Sequence, residues 1–380
     1  ATGELTFAIG TLATTDALFG HTTTLVYNQA YAGKYVVSAT ASVPNISTTF
    51  GYGIKMNVNE YLVPRSYVND EGKEITYYIW TDADGSEHDF YPEGDSTTIY
   101  KDDDGLLLTL TVSGNTYEIE DMNHNVRTFQ RTSSDRSKIR DGAILQSIRD
   151  KNGNMLQYTY NDWGRIGQVQ VIPNGSTAIP YLKFVYNAYG QVKRIYNYNY
   201  DTAPKVKFYY SPNYAETTDI SCDYKGYLKK IEFINENQVV ATTSYEYNSS
   251  GKLIAAHDDT SGYCVRYTYS GNRVASVTEY AGVDDTQGQT IAFAYRDGYT
   301  EIRSSGSDDQ YGTDDDIISV YIFDERGRVT STYSTDATRS IIYGATSGEY
   351  EEQENVKNNL KSSVLVGGAA SNYIYNGGFE

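Results

Sequence analysis

Short stretches of alternating apolar and polar residues recur along most of the chain. In Tyr158–Tyr160 (YTY), two aromatic residues stand two positions apart, and the same aromatic spacing occurs at Phe184–Tyr186, Tyr245–Tyr247 and Tyr321–Phe323. Residues two apart point to the same face of a β-strand, so the pattern predicts strands with one aromatic face. Helix-forming composition is found only at about Gly348–Val364, where the apolar stripe is weak. We therefore predict an all-β fold.

A turn signature follows each aromatic pair. Asn or Asp stands at its first position and Gly at its fourth, which is typical of a type I turn closed by a left-handed glycine. An apolar residue two positions after the glycine starts the return strand of a predicted hairpin. A weaker copy has Cys222 in its second aromatic position. The residues of this repeated motif are Tyr158, Tyr160, Asn161, Gly164, Phe184, Tyr186, Asn187, Gly190, Asp223, Gly226, Tyr245, Tyr247, Asn248, Gly251, Tyr267, Tyr269, Tyr321, Phe323, Asp324 and Gly327.

The aromatic composition is unusual. The chain has 39 Tyr but only 11 Phe and 2 Trp. A tyrosine ring packs like an apolar side chain, while its hydroxyl still needs a hydrogen-bond partner. Such residues suit half-exposed sheet faces and surfaces that bind glycans.

Charge and cysteine content argue against several classes of protein. The net charge of −18 repels phosphate backbones and anionic lipids, so we expect no nucleic-acid partner. Two cysteines, Cys222 and Cys264, do not make a disulfide framework, although a single bridge between them stays open. No apolar run reaches the ~20 residues of a membrane-spanning helix.

The complete motif resembles a known family. It reads D-x-x-G, then Y-x-Y-[ND]-x-x-G-[RK]-[LIV], and is complete in Asp150–Val169 and nearly so in Asp259–Val277. This is similar to the YD-repeat (RHS-repeat) family of bacterial RHS and wall-associated surface proteins, and more distantly to toxin-complex shell subunits and teneurins. The segments Thr2–Thr6, Tyr27–Gln29 and Phe50–Gly53 also resemble the region that precedes the repeats in RHS proteins.

The resemblance implies repeated antiparallel β-hairpins joined into a spiralling sheet, as a partial RHS-type shell. The self-cleaving aspartate segment that ends many RHS cores is absent from this sequence, so autoproteolysis is not carried over. We expect an N-terminal β segment at 1–130, the YD-repeat spiral at 131–343 and a linker at 344–370. Residues 371–380 (SNYIYNGGFE) resemble the opening strand of a galactose-binding-like domain.

Evidence for catalysis is poor. The four histidines are scattered, and the sequence has no serine-nucleophile, phosphate-loop, dinucleotide or H-E-x-x-H motif. We therefore expect no enzyme and no cofactor. A pair of carboxylates for glycoside hydrolysis stays open, because such a pair meets in space and not in sequence.

Two binding chemistries have candidate residues. The acidic loop that could hold Ca²⁺ contains Asp308, Asp309, Asp314, Asp315 and Asp316, with a solvated loop as the alternative interpretation. Trp80 and Trp163 are candidates for stacking on a glycan, and Trp163 falls at a hairpin tip, where side chains are easily presented. Packing within the sheet is the alternative interpretation of these aromatic residues.

These observations favour a non-catalytic structural scaffold or shell segment of a large bacterial cell-surface or secreted protein. The alternative is an adhesive module that binds glycan or another cell surface. Expected partners are other domains of the same parent chain and, for the alternative, cell-wall polysaccharide. The expected location is extracellular or cell-wall associated.

Overall fold

The chain is almost entirely antiparallel sheet. The structure, a computed structural model, describes residues 3–14, 22–32, 50–131, 142–161, 165–197, 203–282, 285, 288–308, 310–339, 342–350 and 360–366. These residues form 27 β-strands and one 3-10 helix, Gln29–Tyr31. The prediction of an all-β fold of antiparallel hairpins is confirmed.

The strands in chain order are β1 (Thr6–Thr14), β2 (Thr22–Asn28), β3 (Ile54–Met56), β4 (Tyr61–Val68), β5 (Glu74–Thr81), β6 (Glu87–Pro92), β7 (Ile99–Asp102), β8 (Thr109–Ser113), β9 (Thr116–Glu120), β10 (Val126–Arg131), β11 (Ala143–Arg149), β12 (Met155–Tyr160), β13 (Ile166–Ile172), β14 (Ile179–Tyr186), β15 (Val192–Asn197), β16 (Val206–Ser211), β17 (Tyr227–Asn235), β18 (Gln238–Tyr247), β19 (Leu253–Asp258), β20 (Cys264–Ser270), β21 (Arg273–Tyr280), β22 (Gln289–Arg296), β23 (Tyr299–Ser304), β24 (Ile317–Phe323), β25 (Val329–Asp336), β26 (Ile342–Tyr350) and β27 (Leu360–Val366).

The chain divides into two compact units. The larger unit comprises Glu4–Tyr263 with Glu354–Val356, and the smaller comprises Ala1–Gly3, Cys264–Gln353 and Lys357–Glu380. The division falls between β19 and β20, inside the repeat region. The motif repeats therefore contribute to both units.

In the larger unit, β4 to β11 form a closed sheet. Each strand pairs with the next one along the chain, and β11 returns to β4, with Ala143 opposite Leu62. A ring of eight strands is just wide enough to be filled by its own side chains. The interior here is filled in that way, by buried residues such as Phe90, Leu110 and Phe129. Closure removes the unpaired edges of this part of the sheet.

From β11 onward the sheet continues as an open row of hairpins, β12 to β19, in the same unit. Apolar residues on one face of each strand are buried, as the alternating pattern requires. Phe184 lies opposite Ile195, and Phe208 lies opposite Ile231, all of them buried. These cross-strand pairs form the core of the row.

A small sheet of β1, β2 and β3 packs against this row. Its core residues include Leu25 and Met56, which lie opposite each other and are fully buried. The Tyr245 hydroxyl donates to the Ile9 carbonyl at 3.0 Å, and the Leu253 amide donates to the Tyr27 hydroxyl at 3.0 Å. Tyrosines thus join two sheets whose residues are more than 200 positions apart.

In the smaller unit, β20 to β27 form successive antiparallel pairs. The range 344–370, which composition assigns to a linker, contains most of β26 and all of β27. These two strands pair with each other, with Ser347 opposite Val364. The described part of this range is therefore sheet and not linker, because its alternating residues pair with a neighbouring hairpin.

Candidate functional site: tyrosine contacts between hairpins

The repeat turns are closed by the side chain at their first position. At Asn187, Oδ1 accepts from the amides of Tyr189 and Gln191, both at 3.0 Å. The Gly190 amide donates to the Asn187 carbonyl at 3.0 Å, and Gly190 has a φ of +80°, which favours glycine. The same pair of side-chain bonds forms at Asn69, Asp150, Asn248 and Asp324.

Each repeat hairpin carries a β-bulge at a fixed place after the turn. Tyr186 lies opposite Val192, whereas Val185 lies opposite Arg194, so Lys193 is the inserted residue. A bulge disrupts the ladder locally and bends the strand. Six other hairpins have the same one-residue insertion. The pairs of opposite residues next to it, on the side of the turn, are Tyr160–Ile166, Tyr210–Leu228, Tyr247–Leu253, Tyr269–Val274, Phe323–Val329 and Tyr350–Leu360.

The second tyrosine of one hairpin reaches back to the bulge of the hairpin before it. Its hydroxyl donates to the carbonyl of the residue that precedes the inserted one, and we call these contacts the tyrosine–bulge bonds. Leu145 belongs to the set because the β10–β11 pair has a bulge of the same kind. The bonds join Tyr160 to Leu145, Tyr186 to Ile166 (2.5 Å), Tyr210 to Val192 (2.6 Å), Tyr247 to Leu228 (2.9 Å) and Tyr350 to Val329 (2.8 Å).

Burial makes these bonds matter energetically. Val192 and Leu228 are fully buried, so their carbonyls cannot rely on water. A buried acceptor left without a donor costs about 1–3 kcal/mol. Burial also raises the pKa of Tyr186 and of Tyr247, which keeps both hydroxyls protonated as donors. Phenylalanine would fill the same space but leave the carbonyl unsatisfied.

One hairpin serves as a natural control. The β22–β23 ladder has no bulge, and Arg296 pairs directly with Tyr299 across the turn. The next hairpin has Phe323 in the second aromatic position, and its amide donates to the Gly298 carbonyl at 2.8 Å. The second aromatic residue thus lacks a hydroxyl where the preceding hairpin has no bulge carbonyl to accept a hydrogen bond.

Tyr295 departs from this rule. It follows the bulged β20–β21 hairpin, yet within the described residues its hydroxyl forms no tyrosine–bulge bond. Its ring lies instead against the Arg273 guanidinium, whose carbon is 5.0 Å from the ring centre.

The structure corrects the assignment of the third copy of the motif. The second aromatic position belongs to Tyr210 of β16, not to Cys222, and a long loop connects Tyr210 to Gly226. Asp223 does not close the turn, because its carboxylate is exposed and pairs with Lys193 Nζ at 3.1 Å. The Gly226 amide donates to Gln191 Oε1 at 3.0 Å instead. Counting back from the glycine failed because this loop is longer than the others.

Trp80 is not a glycan platform. Only 6% of it is exposed, and its Nε1 donates to Glu60 Oε2 at 3.0 Å. The Arg127 guanidinium carbon lies 5.5 Å from the ring centre, and Arg127 Nε lies 3.3 Å from the Glu60 carboxylate. The stacking prediction for Trp80 is therefore wrong, since the indole is buried and its N–H is already bonded to Glu60. Trp163, Gly164 and Asp309 lie outside the described residues.

Charged groups surround Trp80. The His88 ring lies against Trp80, with ring centres 5.1 Å apart, and between two carboxylates, 2.7 Å from Asp104 Oδ2 and 3.2 Å from Asp82 Oδ2. Burial opposes the charged imidazole, but bonds to Asp104 and Asp82 outweigh it and raise the pKa of His88 to about 9. Burial lowers the pKa of Lys55, whose Nζ donates to the Asp82 carbonyl, to about 8. The Lys55–Asp82 bond joins the small sheet to the closed sheet.

Two of the carboxylates proposed for calcium, Asp315 and Asp316, already have protein partners. Asp316 is fully buried, and its Oδ2 lies 2.6 Å from Arg303 Nε and accepts from the Gly312 amide. Asp315 accepts from Ser307 Oγ at 2.8 Å and from Thr313 Oγ1 at 2.7 Å. In the part of the chain that the structure describes, no group of three or more His, Cys, Asp or Glu side chains is arranged to hold a metal.

Cys222 and Cys264, both described, are thiols and do not form a disulfide. No helix within the described ranges is long and apolar enough to cross a membrane.

Comparison with known proteins gives matches among solved structures only. No family model matches the chain, and no curated protein matches it. The TcdB2–TccC3 complex with Cdc42 matches at 10% identity and a TM-score of 0.29, over 76% of this chain and 20% of that one. The Photorhabdus luminescens Tc holotoxin pore matches at 13% identity and a TM-score of 0.30, over 80% and 16%. A porin-like protein from Bacteroides uniformis matches at 12% identity and a TM-score of 0.22, over 81% and 94%.

The chain spans at most a fifth of the length of the toxin chains that it matches. Identities and TM-scores are low throughout, so function is argued below from this chain's own contacts.

Sequence reasoning missed the acceptors of the tyrosine–bulge bonds and the role of Gln191. The sequence does carry a signal for these acceptors, in the choice of tyrosine or phenylalanine at the second aromatic position. Phe323, which has no hydroxyl, follows the hairpin that has no bulge. Gln191 carries no comparable local signal. Its amide bonds Gly226 through both of its polar atoms at 3.0 Å, 35 residues away.

Proposed function

We propose that this chain is a non-catalytic scaffold or shell segment of a YD-repeat type, part of a large extracellular or cell-wall-associated bacterial protein. The series of five tyrosine–bulge bonds carries the proposal. Each bond ties one hairpin to its predecessor through a buried contact, which makes a row of hairpins behave as one body. A protein whose task is to space or enclose other domains needs that rigidity.

The proposal includes the absence of enzymatic activity. The buried carboxylates of Glu60 and Asp316 each contact an arginine, and the imidazole of His88 contacts two carboxylates. These groups are engaged with protein partners in the roles expected of structural residues.

The test is cooperativity of unfolding. We expect the triple variant Tyr186→Phe, Tyr210→Phe, Tyr247→Phe to unfold in urea with a lower m value, because hairpins then open separately. The matched control is Tyr67→Phe, whose side chain is 44% exposed on β4. An unchanged m value in the triple variant would show that the bonds do not couple the hairpins, and the scaffold proposal would lose its support.

An adhesive module is the second candidate. It is favoured by exposed tyrosines at hairpin tips, where packing does not require them. Tyr189 is 54% exposed and Tyr224 is 36% exposed. The Asn187 side-chain amide donates to the Tyr224 carbonyl at 3.0 Å, which holds the two tips together. Binding of the chain to a glycan panel, lost in Tyr189→Ala but kept in Tyr67→Ala, is the expected result for this function.

A further inference from the structure

The outward face of β14 to β17 carries positive charge on an acidic protein. The chain has a net charge of −18. On this face, four cations and two tyrosines point away from the buried core. Two acids accompany them, because Glu232 lies in the same rows and the Asp223 carboxylate acts on Arg194 from the neighbouring loop. We call this surface the basic face, and it consists of Lys183, Arg194, Tyr196, Lys207, Tyr209 and Lys230.

The strand register sets like charges against each other. Arg194 lies directly opposite Lys207 across the β15–β16 pair. Like charges in that position destabilise a sheet. Lys207 has Glu232 on its other side, but Glu232 already accepts from Lys230 Nζ at 2.7 Å and from the Tyr209 hydroxyl at 2.6 Å. The neighbouring carboxylates act on this pair one at a time, Glu232 on Lys207 and Asp223 on Arg194.

The Arg194 guanidinium hydrogen-bonds the Tyr196 side chain, and this bond raises its pKa. A guanidinium presents a planar fork of donors that matches a carboxylate, so an incoming carboxylate would meet the charge of Arg194 and Lys207 together.

Aromatic rings border these charges. Tyr196 and Tyr209 lie on the basic face itself, and the Tyr209 ring is 4.3 Å from Lys230 Nζ. The Tyr224 loop is held near this face, because the Asn187 side-chain amide donates to the Cys222 carbonyl at 3.1 Å and Cys222 interacts electrostatically with Arg194. Tyrosine offers a ring for stacking and a hydroxyl for hydrogen bonding.

We propose that the basic face binds an acidic polysaccharide, a glycan chain that carries carboxylates on its sugar rings. Arg194 and Lys207 receive a carboxylate, and the neighbouring tyrosines contact the sugar rings. Such a chain has a lower charge density than double-stranded DNA, which carries one charge per ~1.7 Å, so a few cations on an acidic protein suffice. This inference rests on the adhesive function and specifies its ligand.

The experiment is calorimetric titration of the full chain with polygalacturonate, beside neutral dextran, polyphosphate and a single-stranded oligonucleotide. We expect polygalacturonate to bind, and Arg194→Gln/Lys207→Gln to weaken binding about tenfold, or about 1.4 kcal/mol. The charge-matched control is Lys73→Gln/Arg326→Gln, two exposed cations elsewhere, with a smaller effect expected. Glu232→Gln should tighten binding, since it removes an acid of this face. Thermal melting of each variant establishes that it is folded.

The possible results distinguish failure of the acidic-polysaccharide inference from failure of the adhesive function. Binding of dextran that Arg194→Gln/Lys207→Gln leaves unchanged would overturn the acidic ligand and keep the adhesive function. No binding to any glycan would overturn both. Tighter binding to polyphosphate or the oligonucleotide than to polygalacturonate, or an equal loss in the control variant, would overturn the inference by showing that charge alone acts.

Discussion

The closed sheet β4–β11 and the hairpin row β12–β19 lie in one unit, yet they satisfy their backbones in different ways. The closed sheet returns to its first strand, so a single long-range pairing, Ala143 with Leu62, completes it. The hairpin row stays open, and each bulge leaves a buried carbonyl that the next hairpin satisfies. The ladders from β4 to β10 have no bulge and leave no such carbonyl, whereas each bulge of the row uses a tyrosine donor.

The largest expected effect is at Gly226, in the hairpin row. A Cβ there would lie 2.3 Å from the Ser211 carbonyl oxygen, and the φ of +137° disfavours other residues. We expect Gly226→Ala to cost about 3 kcal/mol or more in the free energy of unfolding. Gly72→Ala in the closed sheet has a φ of +78° and open space, so only the backbone cost of about 1–2 kcal/mol should remain.

Urea denaturation of the two glycine variants measures this difference. Equal losses of stability in the two variants would mean that the backbone around Gly226 moves to make room for the added methyl group. The hairpin row would then be less rigid at this point than the close contact implies.

The next largest effect is expected at His88, in the charged cluster beside Trp80. The pKa of His88 is about 9, above its ordinary 6.5. Its stabilisation is therefore complete below about pH 6.5 and is lost as the pH rises through about 9, by about 2–3 kcal/mol. His88→Gln should cost most at about pH 6 and little at about pH 9.5. The titration of Lys55 is common to both proteins and cancels in the difference.

The test is to measure the free energy of unfolding of the wild type and of His88→Gln across this pH range and to compare the two at each pH. A constant difference between the two proteins would show that the pKa of His88 is the same in the native and unfolded states.

Removal of one tyrosine–bulge bond should have a moderate effect. We expect Tyr210→Phe to cost about 1–2 kcal/mol, because the buried Val192 carbonyl loses its donor. Phe323→Tyr should bring no comparable gain, since the hairpin before it has no bulge. Chemical denaturation of both variants compares these costs, and a stabilising Phe323→Tyr would contradict the link between bulge and hydroxyl.

The smallest effect is expected at an exposed ion pair. Lys73 and Asp95 lie 3.1 Å apart, with side chains 58% and 96% exposed. Such pairs contribute about 0–1 kcal/mol, so Lys73→Gln should leave the unfolding midpoint nearly unchanged. A clear loss of stability would mean that surface charge holds the closed sheet more strongly than its interior packing suggests.

The sequence predicted what local chemistry determines. Asn187, Asn248 and Asp324 close their turns with their own side chains, so a four-residue window contains the whole signal. The aromatic alternation likewise predicts strands, because residues two apart share a face.

Other features depend on residues far apart and had no local signal. The closed sheet requires β4 and β11 to meet, although about 80 residues separate them. Trp80 is indistinguishable in sequence from an exposed tryptophan, and only Glu60 and Arg127 show why it is buried. Tyr210 was overlooked in favour of Cys222 because a long loop separates it from its glycine.

The tyrosine–bulge bonds imply an order in which the hairpins of the row are completed. The acceptor always precedes its donor along the chain, as Ile166 precedes Tyr186 and Val192 precedes Tyr210. During synthesis or export from the N-terminus, each hairpin therefore emerges before the residue that completes it. Its final stabilisation waits for the following hairpin, so the row matures sequentially, and its newest member is always the weakest.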